Sequence, residues 1–466
     1  MRLGPSPAVG WARGAHSDGH LGGDVVHPGA SSTVLRRFAG PEADELAILC
    51  RPEGRSLDAV HQAEAVYRAL AALLAAHQAS FRDLTSETLF LRDVRRELAL
   101  VLGARTRVLT DLGQSACAPP PAFIQQAPVG QGTSFELSAS AVVPRHRDAW
   151  SVRDVRAVPS CACEGCARSA ARLVRLGPAA GVGSTGPLAV GSLRAAKSDS
   201  LVRDQTSLCT TNVYGAGGDA FEQAWDMFCA AERLLDQCGM GFRDVVRTWI
   251  HLRDIDRDYD ALNKARREFF RRCGIERRPA STGVQGIPFP DAHDVSMSLH
   301  AVKSPRPLDV TLMSTPSLNE AWTYGVDFSR GLKIAEANKV TLYVSGTASI
   351  DEAGRTVHVG NFEAQVDRML DNIASLLAQQ GATFENLVSG VTYLRNPSDA
   401  PVLRSRCHQR GFDGFPCALV EASLCRPELL CEAEAVAMLP PTACRTGPPA
   451  ATHRGAGHRE DADRRS

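Results

Sequence analysis

One pattern recurs three times in this chain, and its spacing restricts what the chain can fold into. The copies read SFRDLTSETLFLRD from Ser80, GFRDVVRTWIHLRD from Gly241 and TFENLVSGVTYLRN from Thr383. Each has a Gln 19 positions before its Phe and an Arg 11 positions after it: Gln62, Phe81 and Arg92; Gln223, Phe242 and Arg253; Gln365, Phe384 and Arg395. The Phe residues stand 161 and 142 positions apart, far beyond solenoid units of roughly 20 to 50 residues. Each repeat is therefore domain-sized. A chain of 466 residues agrees, at a prior of about 150 residues per domain.

The third copy shows the element order best. TLYVSGTASID (341–351) alternates β-branched and small residues, which predicts a strand, and RTVHVG predicts a short return strand completing a hairpin. From Asn361, the residues Phe362, Val366, Met369, Leu370, Ile373, Leu376 and Leu377 fall on one helical face, ended by Gly381. LVSGVTYLRN predicts the next strand, a helical stretch runs to about Gly411, and FPCALVEASLC and LLCEAEAVAML close the unit as strands. The same order appears at 59–78, 86–93, 95–109 and 122–143, and again at 219–238, 245–254, 259–272 and 280–303. Strands framing two helices predict an α+β unit with helices on one face of a sheet. The other face needs cover, and three copies supply it as an intrachain pseudo-trimer with a closed β-barrel-like core. The predicted divisions are a tail at 1–32, repeats at 33–150, 151–305 and 306–440, an insertion at 180–206 within the second, and a tail at 441–466. Gly215, Gly217 and Gly218 lack dinucleotide-motif spacing and predict a turn before a helix N-cap at Asp219.

Lys plus Arg and Asp plus Glu both number 52, so no basic field points to nucleic acid or an anionic membrane. No apolar run nears the roughly 18 residues that span a bilayer, and the N-terminal segment lacks the apolar core of a secretory signal. A cytoplasmic protein is expected. The 14 Cys residues are scattered and expected to be reduced. Cys161, Cys163 and Cys166 stand close enough for soft-metal ligands, but no fourth ligand lies at matching spacing, so free thiols are expected and no metal or cofactor is implied.

The repeats resemble the RidA (YjgF-like) family, through VSGTASIDEAGRTVHVG, the Gln365 and Asn372 pair, GATFENLVSGVTYLR and VEASLCRPELLCEAEAVA. The resemblance implies a trimer-like assembly with ligand clefts between neighbouring units. It also implies an Arg near the penultimate strand that holds a substrate carboxylate, and a Glu on the last strand that positions water. The Arg position aligns with Cys417, near Ala280 or Ser281, and near Ala122 or Phe123, and none of these is Arg. The Glu survives as Glu432, with Glu136 close by in the first repeat. A narrower resemblance is to chorismatases: Arg247-Thr-Trp-Ile-His, Tyr259 with Arg266, Pro279-Ala-Ser-Thr-Gly283, then SGTAS and Glu432. It implies Glu432 as proton donor to an enolpyruvyl methylene, with Gly346 and Cys425 lining the ring pocket, as in the branch that forms 3-hydroxybenzoate. The first repeat and residues 151–206 do not share this resemblance, and Ile250 stands where the pattern has Asn.

Glu432 also stands out on its own. It shares a strand face with Glu434, where an ordinary half-buried strand carries apolar residues, and neighbouring carboxylates raise each other's pKa as a general acid needs. Arg266 is positioned on a helix to reach an anion. Tyr324 and Arg330 fall where cleft lining and packing are equally expected. Arg395 ends a strand as Arg92 and Arg253 do, which favours a structural role over ligand binding. The expected substrate-binding set is Arg266, Tyr324, Gly346, Arg395 and Cys425. The expected ligand is a small anionic metabolite, the expected state a monomer. Three functions fit: chorismatase-like release of pyruvate, imine or enamine deamination, and silent ligand binding.

Overall fold

The computed structural model describes residues 21–26, 31–53, 58–159, 161–177, 205–305, 307–336 and 338–441. The first repeat runs β1 (Leu21–Val26), β2 (Ser31–Ala39), β3 (Ala43–Pro52), α1 (Ala59–Ala76), β4 (Leu84–Leu91), α2 (Val94–Asp111), β5 (Ala122–Gln125) and β6 (Phe135–Pro144). The second runs β7 (Trp150–Arg156), α3 (Glu164–Arg168), β8 (Ala170–Leu176), β9 (Gln205–Thr210), β10 (Val213–Tyr214), α4 (Ala220–Gln237), β11 (Val245–Leu252), α5 (Ile255–Cys273), β12 (Ala280–Gln285) and β13 (Val295–Lys303). The third runs β14 (Asp309–Leu312), β15 (Gly331–Ala335), β16 (Val340–Ala348), α6 (Phe362–Ala378), β17 (Leu387–Leu394), α7 (Ala400–Arg410), β18 (Cys417–Glu421) and β19 (Cys431–Leu439).

Local chemistry sets these boundaries. Asp58, Asp93, Asp219, Asp254 and Asn361 cap α1, α2, α4, α5 and α6, each accepting from a backbone N–H of the first turn. The glycines before α4 serve close packing: a Cβ on Gly215 would sit 1.9 Å from the Gln223 carbonyl oxygen. Each sheet keeps the order first strands, last strand, penultimate pair, as in β14-β15-β16-β19-β17-β18. The last strand is central, antiparallel to β16 and β17, while β17 and β18 run parallel across their helical crossover. Each helix pair buries an apolar cluster on its own sheet, Met369, Ile373, Leu376, Ala433 and Ala435 in the third repeat.

The recurring Gln and Arg explain themselves. Gln62, Gln223 and Gln365 each accept from the backbone N–H that leads into the last strand, at Ser134, Asp294 and Leu430. Arg92, Arg253 and Arg395 each spend their guanidinium on carbonyls of the preceding loop, Arg395 reaching Leu429 at 2.8 Å and Arg426 at 3.0 Å. The shared Gln contact also sets register across the repeats: Glu432 corresponds to Ser296 and Glu136.

Several expectations change. Among the described residues no closed barrel forms: the strands belong to three separate sheets. Among the described residues, isolated bridges link the sheets: Ala280 to Ser329, Gln125 to Ile287 and Pro128 to Val420. The sheets meet by packing, β4 against β8 and β9, β12 against β15 and β16, and β17 against β2 and β3. RTVHVG forms no return strand. Asp351 accepts from the N–H groups of Ala353 and Arg355, and His358 takes a positive φ, so the segment is a tight loop with one bridge. Leu21–Val26, within the expected tail, pairs with β2. The insertion up to residue 204 and the segment from 442 lie outside the described residues.

Replacing Arg395 with Ala is expected to lower unfolding stability by about 2 kcal/mol, since several buried carbonyls lose donors. Arg92→Ala and Arg253→Ala should act alike in thermal melts. Unchanged stability with weakened ligand binding would contradict the structural assignment.

Candidate active site

β19 carries Glu432 and Glu434 on the face turned away from the helices, and both are buried at 5% exposure. Their neighbours separate their fates. Glu434 accepts from Arg247 Nη2 at 2.6 Å, from Trp249 Nε1 at 2.6 Å and from the Tyr393 hydroxyl at 3.2 Å. Glu432 has no hydrogen-bond partner among the described residues, and its carboxyl is pushed from 4.5 up to about 8 by burial first and by Glu434 second, against the pull of Arg247 and Arg330.

The Glu432 carboxyl lines a cavity of about 340 Å³ between the second and third repeats. β12 and α5 contribute Ser281, Gly283, Tyr259 and Arg266, while the third repeat contributes Phe328, Arg330, Gly346, Cys425 and Arg426. Two guanidiniums flank one ring, Arg266 at 5.8 Å and Arg330 at 5.6 Å from the Phe328 centroid. Asn319 anchors Arg330 through its carbonyl at 2.8 Å, and Asn263 accepts from Arg266. The seam is held by hydrogen bonds from the Ser281 N–H to Ser345 Oγ at 2.9 Å and from the Gly346 N–H to Thr282 Oγ1 at 3.0 Å.

Gly346 is there for space. A Cβ at this position would lie 2.0 Å from Glu432 Oε1 and 3.1 Å from Thr282 Cγ2, so the absent side chain is what lets the carboxyl occupy this site. Cys425 lines the same cavity with a thiol pushed up to about 12 by burial, which suits a neutral wall group and not a nucleophile.

Parts of the chain are similar to known proteins. Residues 326–439 match the family model for Endoribonuclease L-PSP. A 3-hydroxybenzoate synthase of Streptomyces hygroscopicus is 26% identical over 227 residues, covering 42% of this chain and 64% of that protein. The 3-aminoacrylate deaminase RutC of Acinetobacter baylyi is 29% identical over 97 residues, covering 21% of this chain and 77% of that protein. The chain is therefore similar to RidA-type proteins and, over a longer stretch, to a chorismatase-type synthase. A chorismatase crystal structure also resembles it, with 16% identity and a TM-score of 0.49 over 76% of this chain and 93% of that one. The match to the curated synthase thus spans somewhat less than two thirds of that relative.

Of the residues expected at the site, the RidA-like fold brings together Glu432, Arg266, Gly346 and Cys425. Arg395 is not among them, since its guanidinium is committed to loop carbonyls. Tyr324 ends the 3-10 turn Ala321–Tyr324, and its side chain lies outside the described residues. The sequence does not single out Phe328 or Arg426, and Arg330 reads there as cleft lining or packing alike. Their only sequence signal is an aromatic two positions before an Arg and an Arg directly after the pocket Cys.

Because the folded pKa of Glu432 is raised, its contribution to stability is complete below about 4.5 and is lost as pH rises through about 8. Glu432→Gln imitates the neutral acid and escapes that loss. Melting curves from pH 6 to 9 are expected to show the wild type falling relative to the variant, whereas parallel curves would contradict a protonated Glu432.

Proposed function

We propose that this cavity cleaves the enolpyruvyl ether of a small dianion, chorismate or a close analogue, with release of pyruvate. The observation that supports the reading most is a carboxyl buried in a cavity wall that also holds two guanidiniums, its pKa raised by burial and by Glu434. Arg266, Arg330 and Arg426 bring positive charge to the wall, while Glu432 adds no compensating negative charge, so the site suits a ligand with two carboxylates. Apolar cover from Phe328, Leu262 and Ile350 excludes bulk water and strengthens each charge contact.

Glu432 donates its proton to the terminal methylene of the enol ether. The adjacent ether carbon becomes cationic and is stabilised by its oxygen. Water adds to that carbon, the bond to the ring oxygen breaks, and the proton from water restores Glu432, so one ether and one water yield an alcohol and pyruvate. If the neighbouring ring hydroxyl then leaves as water, with the hydrogen from the carbon that bore the ether, the aromatic 3-hydroxybenzoate forms instead. Gly346 and Cys425, both at the cavity, are the residues that favour this branch. The three repeats act as an intrachain pseudo-trimer in this reading, with the chemistry at the seam between the second and third.

Purified protein incubated with chorismate is expected to release pyruvate, read by coupled NADH oxidation, with 3-hydroxybenzoate seen by chromatography. Glu432→Gln should lower kcat by roughly 10²- to 10⁴-fold, and activity should fall as pH rises through about 8. Gly346→Ala, by displacing the carboxyl, should cost roughly tenfold or more while the protein stays folded. Folded protein that releases no pyruvate would end this reading. Ammonia from an enamine would point instead to deamination, and dicarboxylate binding without turnover to a silent binding protein.

A further inference from the structure

Outside the residues that line the cavity, three thiols and one imidazole converge. Cys161, Cys163 and Cys166 lie in the connection between β7 and β8, and His293 in the loop before β13, 130 positions after Cys163. Their ligating atoms all lie within 4.8 Å of one another. Cys163 Sγ is 3.0 Å from His293 Nε2, Cys166 Sγ is 4.0 Å from the same nitrogen, and Cys161 Sγ is 3.4 Å from Cys166 Sγ. No fourth ligand lies at matching sequence spacing, as expected; the candidate partner His293 is brought to the thiols by the fold.

We infer that Cys161, Cys163, Cys166 and His293 form a closed tetrahedral site for a thiophilic divalent cation of the zinc class. Zn–S bonds of about 2.3 Å and Zn–N bonds of about 2.0 Å require ligand atoms roughly 3.5 to 3.8 Å apart, and the observed distances bracket that span. Three sulfurs and one nitrogen are a soft donor set that selects zinc over magnesium or calcium. All four positions come from the protein, which marks a structural site, not a catalytic one.

The surroundings prepare each ligand. His293 is 2% exposed. Its Nδ1–H donates to the Gly215 carbonyl at 3.1 Å, which leaves the Nε2 lone pair directed at the thiols. The ring packs on Tyr214 with centroids 4.7 Å apart, and Arg253 Nη2 holds the His293 carbonyl at 2.8 Å. The Cys166 N–H donates to Cys163 Sγ at 3.3 Å, which supports a thiolate there. Binding replaces three S–H bonds by three S–metal bonds and releases three protons, with no redox partner needed.

The site's placement gives it work. It ties the β7–β8 connection to the loop entering β13. β8 carries buried Arg172 across to the first repeat, where it reaches the Leu84 carbonyl at 2.9 Å and the Cys117 carbonyl at 2.9 Å. The metal thus fixes the hairpin on which the first two repeats meet.

The full chain, purified under reducing conditions, is expected to hold one zinc per molecule by elemental analysis. Exchange with cobalt(II) should give the visible bands of tetrahedral cobalt and near-ultraviolet sulfur-to-cobalt charge transfer. Cys163→Ser and His293→Ala should each abolish these bands, and Cys407→Ala should leave them intact. If the site variants fail to fold, the wild-type charge-transfer intensity still decides, since it must match three thiolates. Reduced, folded wild type that takes up no cobalt would overturn the inference, as would an unchanged spectrum in His293→Ala or a Cys161–Cys166 disulfide in freshly isolated protein.

Discussion

The pairing of Arg247 with Glu434 underlies both the assembly and the chemistry of this chain. The two side chains meet at 2.6 Å across the seam between the second and third repeats, at 2% and 6% exposure. A charge buried this deeply is costly unless paired, so removing either partner would destabilise the seam by roughly 3 to 5 kcal/mol. Trp249 and Tyr393 complete the cage around the carboxylate. The same negative charge, two residues along β19, helps hold Glu432 in its neutral form. One strand therefore carries two carboxyls with opposite duties, one spent on cohesion and the other kept uncharged beside a cavity.

The repeats have diverged around a shared frame. The Gln and Arg contacts at the last strand persist in all three, because each loop entering that strand presents the same backbone groups. What the last strand carries differs. At the position of Glu432 the second repeat has Ser296. The first has Glu136, paired with Arg51 at 3.2 Å, so its carboxyl is engaged by a cation where that of Glu432 is not. The second repeat has instead gathered thiols beside its own Arg clamp, since Arg253 holds the backbone of His293.

Much of the frame was legible because it repeats in sequence and follows simple periods. The long helices α1, α2, α4, α5 and α6 announce themselves by Asp or Asn caps and by apolar positions at helical spacing, and they fall close to where expected, whereas the short α3 was not expected. Glu432 was legible as a charge where a strand should be apolar. The rest depended on contacts between distant segments. RTVHVG alternates like a strand, yet the Asp351 turn and the left-handed His358 leave it as a loop. Arg330 and Phe328 gain meaning only when α5 of another repeat brings Arg266 to the same ring. His293 cannot be matched to its thiols by any spacing rule.

The central claim is that the Glu432 carboxyl is neutral at physiological pH inside the seam. Infrared difference spectra between wild type and Glu432→Gln, recorded across a pH series, observe that group directly. A protonated carboxyl C=O band that persists to about pH 8 and then gives way to carboxylate stretches is the result expected. Carboxylate stretches already complete near pH 5 would contradict it.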